Sequence, residues 1–114
     1  MDPIKGIIQF NKDRNLTKFD PVAEYAMLEE ELLEFYAAYS AQDTYEMVDA
    51  LCDLIVIATG GIHKLGYDPT EALSETVKEI TSRQGSLNPD TGKWEKDRNQ
   101  DPKTLYKAHY CPLR

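Results

Sequence analysis

The sequence predicts an all-α protein: a bundle of three to four main helices with an irregular C-terminal segment. Three observations carry that expectation. Two Asp-Pro pairs are placed as helix starts, apolar residues recur at helical spacing between Val22 and Ile80, and strand signals are few. A chain of this pattern closes on itself as packed helices. At 114 residues it has the size of one domain, spanning 1–114.

The elements follow in order. Pro3 to about Lys12 forms a short helix with Ile4, Ile7, Ile8 and Phe10 on its apolar side. Asp20-Pro21 then supplies an N-cap and a proline at the first helical position, so a long helix runs to about Ser40, before the polar turn Ala41-Gln42-Asp43. A second long helix starts near Asp43-Thr44 and ends before Gly66, with Gly60-Gly61 as a weak point or kink. Asp68-Pro69 repeats the start signal for a helix reaching about Gln84, with Gly85 as its C-terminal cap. Its residues Ala72, Leu73, Thr76, Val77 and Ile80 form a stripe suited to packing on the other helices. Asn88-Pro89-Asp90-Thr91-Gly92 reads as a turn. The tail from Pro102 to Arg114 has room for one more short helix containing Leu105, Tyr106 and Tyr110.

Composition narrows the function classes. A net charge of −7 argues against a general nucleic-acid binder, because phosphate backbones are held by basic surface. Of thirteen Lys and Arg residues, five precede residue 70 and eight follow it, so the last third can supply positive charge to an anionic ligand. Cys52 and Cys111 have neither CxxC spacing nor a histidine cluster, which fits ordinary thiols in a reducing cytosol. The start carries no signal-peptide pattern, and the apolar run from Leu54 to Ile62 is too short to span a bilayer. These features predict a cytoplasmic protein with no membrane partner.

The chemistry lies in the carboxylates. Glu31 and Glu34 on the first long helix, and Glu46 and Asp49 on the next, are spaced three apart and so project from one side of each helix. At about 100° per residue, Glu30, Glu31 and Glu34 share a sector with Met27 and Ala38, while Glu46, Asp49 and Asp53 fall within about 60° of each other. Both helices are otherwise apolar nearly all round, the mark of burial. A buried carboxylate must protonate, find a cation or bind metal. The eleven residues from Phe35 to Tyr45 suffice to finish one helix, turn and start an antiparallel neighbour, so the two pairs can face each other. Oxygen-only ligands favour a hard ion: Mg²⁺ first, then Mn²⁺, with Ca²⁺ a further option.

Glu30-Glu31-Leu32-Leu33-Glu34 followed by Glu46-Met47-Val48-Asp49 resembles the signature of the MazG-like, all-α nucleoside triphosphate pyrophosphohydrolases. The resemblance covers about residues 20–98. It takes in Asp49-Ala50-Leu51-Cys52-Asp53 and the stretch Gly92-Lys93-Trp94-Glu95-Lys96, which looks like that of phage-type members. It implies Mg²⁺-dependent hydrolysis of a nucleoside triphosphate, a dNTP foremost, to monophosphate and pyrophosphate, in pool control or housecleaning. Glu31, Glu34, Glu46 and Asp49 match the family's metal ligands, Asp53 extends the cluster or holds a lysine beside it, and Glu30 is expected to orient or deprotonate the attacking water.

Lys78, Arg83, Lys93 and Lys96 are candidates for the β- and γ-phosphates. Gln9 and Asn11 are candidates to read a base edge, as similar N-terminal residues do in dimeric dUTPases; Trp94, Phe10, Tyr36 and Tyr45 are available for stacking, although Tyr36 also fits a core position. Relatives in this superfamily are dimers or tetramers, so a homo-oligomer is expected. Two other readings stand beside this one. Phosphoribosyl-ATP hydrolysis uses the same fold, and a noncatalytic helical module would use the acidic cluster to bind metal or a basic partner.

Overall fold

Three helices of this chain are started by aspartates and stopped by one recurring motif. The computed structural model describes residues 2–113, with α1 at Pro3–Asp13, α2 at Pro21–Ser40, α3 at Thr44–Lys64 and α4 at Pro69–Ser82. Asp2 accepts from the Ile4 N–H, Asp20 from the N–H groups of Val22 and Ala23, and Asp43 from that of Glu46. Each such cap contributes about 1 kcal/mol to its helix.

At the other ends, the backbone closes a Schellman motif three times. Leu16, Asp43 and Tyr67 donate their N–H groups to the carbonyls of Asn11, Ala38 and Ile62, across a residue with positive φ: Asn15 at 55°, Gln42 at 56° and Gly66 at 94°. Asp43 belongs to both devices, ending α2 and capping α3, and this makes the three-residue turn that folds the two long helices into a hairpin. The helix boundaries agree with those expected from the Asp-Pro signals.

The described residues form two packing units. The first holds α1, α2 and α3, together with Pro112 and Leu113, where Leu113 donates to the Gly66 carbonyl at 2.7 Å. Its α2–α3 seam is written in a 3-4 spacing: Glu24, Leu28, Glu31, Phe35 and Ala38 are the sheltered positions of α2, and Met47, Ala50, Leu54, Ile57 and Gly61 those of α3. Such spacing keeps two antiparallel helices in register along their length. Among the described residues no helix is long and apolar enough to cross a membrane.

The second unit runs from Thr70 to Cys111. Here the expected glycine cap is replaced: α4 stops at Ser82, and Gly85–Leu87 forms β1, paired antiparallel with β2 at Trp94–Lys96 around the Asn88–Gly92 turn. Gly85 serves the hairpin because the Trp94 ring lies over its Cα, where a side chain would collide. The expected tail helix is reduced to one 3₁₀ turn, Pro102–Thr104, and Leu105, Tyr106 and Tyr110 lie in extended or irregular backbone; Arg114 lies outside the described residues.

That backbone is fixed instead by side chains of α4. Glu75 accepts from the Tyr106 hydroxyl at 2.6 Å and the His109 N–H at 3.0 Å, Glu79 from the Ala108 N–H at 2.8 Å, and the Ser82 hydroxyl from the Tyr106 N–H at 2.8 Å. The α4 stripe is not a buried one, since Leu73, Val77 and Ile80 are exposed, while Thr76 bonds to the Tyr110 hydroxyl.

Burial departs most from expectation on the two long helices. Ala38 and Ala50 are the buried apolar residues of the described chain, whereas Leu32, Leu33, Tyr36, Val48, Leu51 and Ile55 are exposed. Tyr36, expected to fit the core, is 66 % exposed and meets Tyr39 edge-to-face. Each long helix meets one main neighbour, so one stripe of its apolar surface is covered and the rest is left open.

Candidate metal centre

The seam of the α2–α3 hairpin carries carboxylates where a helical interface normally carries leucines. Glu31 lies on the sheltered stripe of α2, and Asp53 is half-buried on α3 across from it. Glu34, one turn further along α2, is exposed but turns its carboxylate to the same point. Oxygens of Glu31, Glu34 and Asp53 all lie within 4.8 Å of one another. Glu31 Oε2 is buried with no hydrogen-bond partner among the described residues, an arrangement that is costly for a carboxylate unless a proton or a cation offsets it.

The electrostatics register that cost. The Glu31 carboxyl is pushed up to about 7, first by hydrogen bonding with Glu34, then by burial, and then by the charges of Glu34, Asp53 and Glu30. Glu31, Glu34 and Asp53 converge with no lysine or arginine ion-paired to them among the described residues, a donor set that a divalent cation can satisfy. An oxygen-only donor set of this charge suits a hard divalent ion.

Glu46 and Asp49 stand apart from that tight group. They line a groove of about 350 Å³ with Glu34, Asp43, Ala38 and Ala50, so Glu34 is shared between the tight cluster and the groove. The sequence reading made Glu46 and Asp49 equal partners of Glu31 and Glu34; the structure brings Asp53 closer. The reason is register, for Asp53 lies beside the seam partner of Glu31, whereas Glu46 and Asp49 lie one to two turns toward the start of α3. Glu30 is exposed on α2 and adds its charge to the Glu31 carboxyl.

The cationic candidates divide. Lys78 bonds to Glu75 at 3.1 Å and stands over the Tyr106 ring, and Arg83 bonds to Glu79 at 3.2 Å, so both have carboxylate partners. Lys93 and Lys96 belong to the hairpin and make no ion pair among the described residues; Lys96 lines an open groove with Glu95, Asp97 and Arg98. These four residues belong to the second unit.

Of the base-reading candidates, Gln9 donates to Asp13 at 2.7 Å, Trp94 covers Gly85, and Phe10 stacks under the Arg14 guanidinium. Asn11 is half-buried with its amide against Gly60 of α3. Gly60-Gly61 therefore does not break α3, which runs through it to Lys64; the pair clears space for α1 and α2 to come close. Glu24, not singled out in the sequence, lies seven residues before Glu31 on the same helix face and packs its carboxylate against Gly61.

Residues 12–79, more than half of the chain, match the family described as phosphoribosyl-ATP pyrophosphohydrolase (PRA-PH). No curated protein and no solved structure matches the chain.

Proposed function

We propose, since the chain belongs to the phosphoribosyl-ATP pyrophosphohydrolase family within the MazG-like all-α superfamily of pyrophosphohydrolases, that it hydrolyses a nucleoside triphosphate, foremost a dNTP, to the monophosphate and pyrophosphate. The observation that carries this reading is the buried, unpartnered Glu31 oxygen beside Glu34 and Asp53, inside the matched segment. In the proposal Glu31, Glu34 and Asp53 hold Mg²⁺, or Mn²⁺, with Glu46 and Asp49 extending the acidic wall toward a second ligand position. The ion, when bound, offsets charge on the phosphate oxygens and the pyrophosphate leaving group.

The chain's own residues do the rest. Glu30, exposed at the edge of the cluster, accepts a proton from the attacking water and orients it toward the α-phosphorus. Lys93 and Lys96 make no ion pair among the described residues, whereas Lys78 and Arg83 do, so of the four the two hairpin lysines are the ones whose charge stays available to an anion. Residues 1–114 serve as one catalytic domain in the cytoplasm, without nucleic acid as partner, in line with the net charge of −7.

A homo-oligomer completes the proposal. On the helical wheel, Tyr25, Leu32, Tyr36 and Tyr39 of α2 and Leu51 and Ile55 of α3 lie on the side of the seam away from the acidic groups, and all six are exposed. A second hairpin laid on that face covers it and leaves the carboxylates open. The second substrate reading, phosphoribosyl-ATP, is favoured by the family match itself.

The test is product analysis of the purified chain with each nucleoside and deoxynucleoside triphosphate and with phosphoribosyl-ATP, in Mg²⁺ and in EDTA. Metal-dependent release of pyrophosphate and a monophosphate is the expected result, and the fastest substrate identifies the class. A metal-induced rise in melting temperature with no turnover of any substrate overturns the enzyme reading in favour of a metal-binding module.

A further inference from the structure

The hairpin that carries Lys93 and Lys96 is not held by burial. Every residue of β1 and β2 is exposed, and a two-stranded hairpin on its own is at best marginal in water. Its fixed points are polar bonds at the end of α4, and one side chain supplies three of them. Gln100 Oε1 accepts from the Gln84 N–H at 2.8 Å, while Gln100 Nε2 donates to the Ser82 carbonyl at 2.9 Å and to the Thr104 hydroxyl oxygen at 3.1 Å. Only one orientation of the amide serves all three, since the backbone N–H needs its oxygen and the carbonyl needs its nitrogen. The Asp97 N–H closes the same corner on the Gln84 carbonyl at 2.6 Å.

A side-chain amide placed this way stands in for a peptide group. Ser82 ends α4, and its carbonyl is among those that find no partner inside the helix. Gln100 takes that orphan carbonyl, takes the N–H of the residue before β1, and steadies the 3₁₀ turn that follows β2. Helix, hairpin and tail are joined at this half-buried residue, which lies four positions after Lys96. All of these residues follow the segment that matches the family, which ends at residue 79.

That junction matters for what the hairpin carries. Lysines are point charges on flexible stems, and an anion that must also order the backbone beneath them binds more weakly by the entropy of that ordering. We propose that Gln100 is a positioning residue for phosphate recognition: it touches no substrate, and it fixes the hairpin so that Lys93 and Lys96 meet the β- and γ-phosphates on a backbone already ordered; this rests on the pyrophosphohydrolase reading above.

The role predicts an effect on binding without one on chemistry. In Mg²⁺, Gln100→Ala is expected to raise KM for the fastest nucleoside triphosphate by about tenfold with kcat within about twofold. Calorimetry with pyrophosphate, the shared product, is expected to show a similar loss of affinity. The decisive readout is coupling: in a Lys93→Ala/Lys96→Ala background, Gln100→Ala is expected to change neither KM nor pyrophosphate affinity further. A merely structural role lowers kcat, or shifts KM by the same factor with the lysines absent, and either result overturns the proposal. Gln100→Glu keeps the size and the oxygen that meets Gln84 but loses both donations; it is expected to behave as the alanine variant does and replaces it if that variant does not fold. Turnover with KM unchanged in Gln100→Ala removes this role and leaves the hydrolase reading in place. If the wild-type chain turns over no nucleotide, that reading falls, and pyrophosphate affinity decides alone: no binding by the wild type, or equal binding by the variant, overturns the role of Gln100.

Discussion

The glutamates of α2 and those of α4 are the same side chain on the same kind of helix, three residues apart in one case and four in the other, yet they live in opposite surroundings. Glu75 and Glu79 are each met by donors: a tyrosine hydroxyl, backbone N–H groups, a lysine and an arginine. Glu75 is thereby held down to about 2, chiefly by the Tyr106 hydroxyl, and Glu79 is lowered chiefly by the Ala108 N–H. Glu31 faces Glu34 and Asp53 instead and is pushed up to about 7. A carboxylate surrounded by donors is a fastener for the chain; one surrounded by carboxylates needs a proton or a cation to settle its charge. The contrast separates the acids that tie down the tail from those proposed to hold a metal.

Exchange of single carboxylates tests that contrast most sharply. Glu34→Gln is expected to lower kcat/KM by about a thousandfold with the fold retained, because the proposed metal ligand is lost while its shape is kept; steady-state kinetics with a melting curve measures both. Activity near wild type in this variant breaks the assignment.

Next in size is the response to metal. Mg²⁺ at about one hundred times its dissociation constant stabilises the wild-type chain by about 2.7 kcal/mol if it binds the native state alone, visible as a rise in melting temperature over EDTA. Glu31→Gln is expected to shrink that rise, and Glu75→Gln to leave it intact.

The two groups also predict mirror-image pH dependence. Glu31 has a folded pKa above its ordinary 4.5, so the folded chain holds a proton that the unfolded chain releases. Metal-free stability therefore falls as pH rises between about 4.5 and 7, and Mg²⁺ flattens that slope. Glu75 has a folded pKa below 4.5, so its contribution is complete above that value and is lost as pH falls toward about 2. Thermal melts across pH, with and without EDTA, read both limbs.

The smallest effect belongs to the fasteners. Glu75→Gln is expected to loosen only the tail, seen as faster amide exchange at Tyr106 and His109 with little change in the melting of α1–α3.

What could be read in the sequence divides along a similar line. The four helices and their starts were legible because capping is local: Asp20, Asp43 and their following residues contain the whole instruction. The pairing of α2 with α3 and the convergence of Glu31 and Glu34 followed from helical spacing and a short turn. Asp53 rather than Asp49 completing the tight cluster did not follow, because it depends on the register of two helices across a seam. The tail was misread for the same reason: Leu105, Tyr106 and Tyr110 have helical spacing, but their backbone is claimed by Glu75, Glu79 and Ser82 some thirty residues away. Gly85 likewise looked like a cap until the Trp94 ring gave it a different task.

The scarcity of buried apolar residues, with Ala38 and Ala50 alone in the described chain, reaches beyond packing. A hairpin whose tyrosines and leucines are covered by another copy has no fixed stability of its own, because its folded fraction rises with how much of it is present. In the proposed homo-oligomer the gene's expression level becomes a structural variable: halving the protein would remove more than half of the working sites, and dilution in an assay would act like a mild denaturant.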